Sequence, residues 1–452
     1  MGRARSEANV IGANGGDGVH LEDAATRGNL VWGNFLGTDR AGHAGLGNGG
    51  CGVRVQGAPE NRIGGAGPGE GNIVAGNLEG GICLAAGARH NEVAANQVGT
   101  TLSGLTALPN LGPGILLEGG ADSNTLQANL VAGNQGAGLH LRGAGTDGNL
   151  ILGNRVGANA VGAAALPNAG AGILVEEGAA YNILGRVAEG EANQVSGNAG
   201  PGIWLRGEGT QGNVVAGNLV GTDFGGYQPL GNGEDGIRLS HGAGENVVLA
   251  NVVAGNGADG LRLEGVGTAG NLVAANLVGW DRTAASPLPN AGHGVHILEG
   301  AAGNYIGQAA SPDALRMAGL EARVQDLDWG NRIAHNLGDG VRVAGVGSVG
   351  NALRRNRITA NGGRGIRLAD GGNGGLAAPV LGEVSHQGVA GTACAGCWVE
   401  VFADPADEGG MFLGTTQAGQ DGQFALAVPM TGPYVTATAT DAEGNTSPFA
   451  AP

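Results

Sequence analysis

Twelve residues of this chain share one context, Gly-aliphatic-x-aliphatic, and most of them can do chemistry. In order, the x residues are His20, Arg54, Cys83, Leu116, His140, Leu174, Trp204, Arg238, Arg262, His296, Arg342 and Arg367. The last five are all Arg or His, so a stack of them would repel itself unless acids answered it. Acids are at hand. Asp235, Asp259 and Asp339 each precede the Gly of an Arg-bearing copy. Two residues after x stand Glu22, Glu118, Glu176 and Glu264, with Arg142 and Arg206 among them. Guanidinium forks pair with carboxylates, and an indole can stack on the apolar face of a sugar ring. Trp204, Arg206, Arg238, Arg262, Arg342 and Arg367 are therefore candidate ligand-binding residues, for an acidic or neutral polysaccharide. The plainer reading of the same column is a surface of mutually neutralising side chains.

The candidates for catalysis are Asp235, Asp259 and His296. On successive turns of a repeat, two carboxylates can approach the ~5 Å separation that retaining glycosidases use. Any repeat that carries an Asp produces such pairs, so a structural role competes. Gly292-His293-Gly294 resembles a polygalacturonase motif, but the adjacent Asp pair and the Arg-x-Lys that accompany it there are absent. Lyase chemistry of the pectate type wants an acid cluster for Ca²⁺ and a basic proton acceptor. The Arg column supplies the second and no clear cluster supplies the first, so no metal or cofactor is expected, with Ca²⁺ the one ion entertained.

The elements that would position these residues follow from the repeat. The Gly-led phrases recur at spacings of 24 to 34 residues, with one of 46 between Gly294 and Gly340. Between them lies a second phrase, Asn-x-aliphatic-x-x-Asn, as in Asn149-Leu-Ile-Leu-Gly-Asn154 and Asn213-Val-Val-Ala-Gly-Asn218. Short aliphatic alternations mark strands, and Gly and Asn at fixed offsets mark tight turns. Strands of this length at a coil-length period predict an all-β fold, a parallel β-helix of about 12 coils, which the resemblance given below implies is right-handed. Alternation sends the aliphatics inward and x outward, and stacked asparagines can satisfy one another at the turns. Every second coil adds an excursion with a Leu-x-Asn signature (Asn48, Asn110, Asn168, Asn232 and Asn290), predicting a two-coil unit with loops on one side. An insertion near 311–328 reads as a short amphipathic helix: Ser311 caps it, Pro312 opens it, and Met317, Leu320, Val324 and Leu327 share a face.

Near Gly371-Gly372-Asn373 the pattern stops, dividing the chain into a β-helix over 1–376 and a second domain over 377–452. Alternating strands such as Trp398–Phe402 and Tyr434–Thr440 predict a small antiparallel β-sandwich that could cover the last coil's open edge.

Composition excludes several classes. Of 452 residues, 96 are Gly and none is Lys, while 42% are hydrophobic and the net charge is −16. That balance argues against nucleic acid or an anionic membrane as partner, and without lysine there is no Schiff-base chemistry. No apolar run approaches the ~20 residues a transmembrane helix needs. Cys394 and Cys397, in a CxxC, are expected to form a local disulfide in an oxidising compartment. Cys51 and Cys83 fall three residues out of register on adjacent coils, which predicts no relaxed bridge. Met1 to Glu7 runs straight into the repeat at Asn9, with no signal peptide visible, so the expectation is a processed or truncated start or a first coil left open.

The string Asn213-Val-Val-Ala-Gly-Asn-Leu-Val-Gly-Thr-Asp223, with Gly-Ile-Arg-Leu after it, resembles the secreted bacterial right-handed parallel β-helix repeat proteins. The tail, with its CxxC before Trp398 and its ending Thr438-Ala-Thr-Asp-Ala-Glu-Gly-Asn445, resembles the Ig-like module often attached to them. That resemblance implies an extracellular or cell-surface scaffold with a structural, adhesive or glycan-binding role. Its partners would be a polysaccharide or neighbouring copies of itself added end to end. The alternative is a carbohydrate-active enzyme, a polysaccharide lyase or glycoside hydrolase, working on the outer strand face.

Overall fold

A computed structural model describes residues 8–320, 328–404, 408–429, 432 and 434–451. The chain divides into two compact units, one of residues 1–238 with 317–319, the other of 239–316 with 320–452. All twelve Gly-led phrases form four-residue strands, from Val19–Glu22 to Ile366–Ala369. Each coil but the last adds two shorter strands, and within each unit the coil strands pair in parallel with their equivalents one coil on. In the first unit, for example, Ile115–Glu118 pairs with Leu139–Arg142, and that strand with Ile173–Glu176. In the second, Leu261–Glu264, Val295–Leu298, Val341–Ala344 and Ile366–Ala369 pair in sequence.

The alternation is as the repeat requires. Val53, Ile115, Leu117, Ile237 and Val341 are fully buried, and the x residue between two buried aliphatics is partly exposed in most strands. Gly leads each phrase for a steric reason. A Cβ on Gly138 would lie 2.4 Å from Val156 Cγ1 and 2.8 Å from Asn168 Nδ2, inside the wall of the coil.

Three asparagine ladders line the turns. In the first unit Asn29, Asn61, Asn91, Asn124, Asn149, Asn182 and Asn213 form one, each neighbour joined by a side-chain or backbone donor to the next Oδ1. Asn96, Asn129 and Asn154 belong to the second, with Nδ2-to-Oδ1 distances of 3.0 Å. The Leu-x-Asn signature residues Asn48, Asn110, Asn168 and Asn232 alternate with Asn77, Asn134 and Asn198 in the third. Most of these amides also donate to a carbonyl of the preceding coil, as Asn129 Nδ2 does to Val93 O at 2.9 Å. Backbone groups that the tight turns leave unpaired are thereby satisfied away from water.

The excursions are small hairpins closed by antiparallel bridges, such as Thr100 with Ala107 and Ala158 with Ala165. In the first unit they stack: Leu102 N donates to Gly42 O, Ala160 N to Gly104 O and Phe224 N to Gly162 O. The insertion forms a helix over Pro312–Met317, with Ser311 Oγ accepting from Ala314 N at 3.2 Å. Val324 and Leu327, expected on its apolar face, lie outside the described residues.

Within the second unit, two three-stranded antiparallel sheets follow the last coil, one centred on Gly388–Thr392 and one on Trp398–Asp404. Val389, Val399, Val401, Phe424 and Ala437 fill the space between them. This module meets the edge of the coil with donors and acceptors matched. Glu400, almost fully buried, accepts from Arg355 N at 2.8 Å and Arg354 Nε at 3.1 Å. Leu353 N donates to Thr446 Oγ1, and Ile358 and Gly409 exchange both backbone hydrogen bonds.

Candidate functional site

The outer face of the Gly-led strands follows a rule that strand register does not reveal. The chain bends at the phrase Gly, and the residue before it stands over the outward face. At Asp17, Cys51 and Asp259 it reaches the x residue of the next coil. Asp17 shows the pattern: its Oδ2 accepts from Arg54 Nε at 2.9 Å and its Oδ1 from Cys51 N at 2.7 Å. Arg54 then extends to Glu79 at 2.6 Å.

One coil further, Cys51 occupies the same address and is bonded to Cys83, with Cα atoms 6.3 Å apart. This corrects the expectation of no bridge there. The three-residue mismatch holds only along a straight strand, and the bend at Gly52 folds Cys51 back over the sheet. Cys394 and Cys397 are also joined, with Cα atoms 5.4 Å apart.

Further along the first unit the face is a chain of ion pairs around one aromatic plate. Glu118 holds Arg142 Nε at 2.9 Å. Glu176 accepts from His140 Nε2 at 2.9 Å and pairs with Arg206 Nε at 3.4 Å. Burial nonetheless pushes the His140 imidazole below its ordinary value, because the desolvation of the charged ring outweighs Glu176. The guanidinium carbons of Arg206 and Arg238 lie 5.0 and 5.3 Å from the Trp204 ring centroid. Arg238 is held in turn by Asp235 at 2.5 Å and Glu234 at 2.8 Å. Asp235 is thus committed to an ion pair on its own strand.

The second unit gathers imidazoles instead. His296 Nδ1 lies 2.9 Å from Asp259 Oδ2, and His293 N donates to Asp259 Oδ1 at 2.7 Å. The two imidazole rings meet edge to face, 4.7 Å between centroids. Burial works against the Asp259 carboxylate, but hydrogen bonds from His296 and His293 outweigh it and hold its pKa below the usual range. Burial lowers the pKa of His293, Asp259 and Asp339 opposing the shift. Arg262 spans Glu264, at 2.6 Å, and Asp259, at 3.5 Å. Arg342 lies 3.9 Å from Asp339, and its buried Nε has no hydrogen-bond partner among the described residues. Arg367 pairs in register with Arg342 and is exposed.

Asp259, His293 and His296 place one ligand atom each within 4.8 Å of the others, a spacing that suits a metal ion. The donor chemistry does not. Asp339 N–H donates to His293 Nδ1 at 2.8 Å, so that nitrogen's lone pair is occupied and the proton of the neutral ring sits on Nε2. His293 has no lone pair left for a cation in this arrangement. Sequence reasoning had not joined His293 to Asp259 and His296. The available signal was its position directly before a phrase Gly, the address of Asp17, Cys51, Asp235, Asp259 and Asp339.

Residues 47–220 match the right-handed β-helix region, and residues 377–451 match the bacterial Ig domain. The chain is a right-handed parallel β-helix protein with a bacterial Ig domain after the helix. No curated protein matches it. Among solved structures, a mutant of the periplasmic alginate epimerase AlgG is similar at 13% identity, covering 77% of this chain and 74% of that one, with a TM-score of 0.35. The A-module of the Azotobacter vinelandii mannuronan C-5 epimerase AlgE6 is similar at 15% identity, with coverages of 77% and 89% and a TM-score of 0.35. The Dettilon tailspike protein is similar at 16% identity, with coverages of 98% and 82% and a TM-score of 0.35. Among the described residues no helix is long and apolar enough to cross a membrane.

Proposed function

We propose that this protein is an extracellular or cell-surface scaffold that binds an acidic glycan on the outer face of its Gly-led strands. The observation that carries this reading is Trp204, a half-buried indole with two guanidinium groups within 5.3 Å on the same face. An indole offers a flat apolar surface to a sugar's C–H face, and arginine forks beside it suit the carboxylate of a uronic acid. The acids that hold Arg206 and Arg238 keep both side chains in place before a ligand arrives, which lowers the ordering cost of binding.

Two disulfides support an oxidising compartment. The seal between the last coil and the Ig module favours display of a face over polymerisation through that end.

Binding to polyuronates and to neutral glycans, measured by calorimetry, tests the proposal. Trp204→Ala and Arg206→Ala should each weaken polyuronate binding about tenfold, the loss of roughly one stacking contact or one charged hydrogen bond. A wild-type protein that binds no polyuronate, or variants that bind as it does, would overturn it.

A further inference from the structure

We propose that the concavity between Gly307–Ala309 and Arg354–Arg355, in the second unit, binds the oxyanion group (carboxylate, sulfate or phosphate) of a monosaccharide-sized ligand. The site lies at a different corner of the coil from the Gly-led strands, and it is independent of the glycan-binding reading of that face.

The backbone marks the place first. Where the second strand of a coil turns towards the third, the residue before the ladder asparagine adopts a left-handed conformation. In the earlier turns without an insertion this residue is Gly or Ala, as at Gly33, Ala95, Ala128, Gly153, Gly217 and Ala275. In the last such turn it is Arg355, at φ 58°. A long side chain is uncommon in that conformation, and its presence calls for a reason. Closing the end of the stack does not supply one. Elsewhere the backbone N–H of this residue donates to the next coil, as Ala128 N does to Leu152 O. Arg355 N donates instead to Glu400 of the Ig module, a bond that an alanine would make equally well.

The side chains then define an anion site. Gly307, Gln308, Ala309, Arg354 and Arg355 line an opening of about 310 Å³, at the lower end of the range for small-molecule sites. Glu400, 1% exposed, accepts from Arg354 Nε at 3.1 Å and fixes that side chain from behind. The rings of Trp398 and Phe412 lie 5.7 and 6.0 Å from the guanidinium carbons of Arg354 and Arg355 and limit their movement. Arg238 and Arg262 each have two carboxylates on the outer face. Here, among the described residues, two guanidinium groups share the single carboxylate of Glu400. One positive charge is left over, on a chain whose net charge is −16, and an incoming oxyanion balances it. Guanidinium forks present parallel donors to such a group, and Arg355 is exposed, so a ligand meets it directly from solvent.

Calorimetry of the full chain with glucuronate, inorganic sulfate and inorganic phosphate tests the assignment. At least one should bind, and their order of affinity shows which oxyanion the site prefers. Arg355→Ala, which restores a residue the other turns carry, should weaken that binding about tenfold or more, while its thermal midpoint stays at or above that of the wild type. Trp204→Ala, on the Gly-led face, should leave the same binding unchanged. A wild type that binds none of the three overturns the site, as does an Arg355→Ala variant that binds as the wild type does. Loss of the binding in Trp204→Ala would assign it to the outer face and overturn the site as well.

Discussion

The asparagine ladders and the outer column are built on the same coils, yet they treat their residues in opposite ways. A ladder position is Asn coil after coil, with nearly constant distances of 2.8–3.2 Å through the first unit. The outer column changes at almost every step: an ion pair at Asp17 and Arg54, a disulfide at Cys51 and Cys83, a hydrogen-bonded dyad at Asp259 and His296. The difference is one of obligation. A ladder amide answers buried backbone groups on two coils, so no other side chain serves. An outward pair answers only its partner and the solvent, so any complementary chemistry fits the address.

Breaking a ladder should therefore cost most. Asn129 is buried; it donates to Asn154 Oδ1 and Val93 O and accepts from Asn96. Asn129→Ala strands several of these groups, and about 3–5 kcal/mol of stability should be lost in urea titration. If the loss stays below about 1 kcal/mol, the ladder is an ornament and the contrast fails.

Breaking the column should cost less, and differently at each step. Cys83→Ser removes a bridge closing a loop with a sequence separation of 32, and about 2–4 kcal/mol should disappear, with at least that loss on reducing the wild type, which also opens Cys394–Cys397. An unchanged midpoint under reducing conditions would show that the bend at Gly52 alone holds these coils together.

The smallest expected effect is on pH dependence, and it sharpens the comparison because ladder amides do not titrate. His140 and His293 are held below 6.5 by burial, so the unfolded chain takes up protons first on acidification. Their contribution is fully present above that value and is lost as pH falls below it. The carboxyl of Asp259 is likewise held below 3.8, so a further loss should follow as pH drops past that value. Thermal midpoints should decline in two stages, and His293→Gln should shrink the first. A midpoint that is flat from pH 7 to pH 5 would contradict the burial of both imidazoles.

The twelve strands and the stacking of asparagines were legible because they repeat, and repetition exposes any position that packing forbids to vary. Asn77, Asn134 and Asn198 were harder to place, since they complete a ladder begun by loop residues with a different neighbourhood. The Cys51–Cys83 bridge and the role of His293 were hidden for one reason. Register arithmetic assigns partners to residues inside strands, whereas Cys51 and His293, each just before the Gly, have left the strand and meet residues of the next coil. Arg342 was legible as a cation but not as a donor lacking an acceptor, because that depends on where Asp339 and its neighbours settle.

That crossing has a consequence for how such a chain changes by recombination. Several coils contribute half of one outward pair and receive half of another from their predecessor, so such a turn is not a self-contained cassette. Excising residues 51–79 would set Asp17 against Cys83 in place of Arg54 and leave one sulfur unmatched. Amide stacking, indifferent to which turn comes next, would close over the seam. Gain or loss of turns can therefore shuffle surface chemistry while the wall beneath it stays intact.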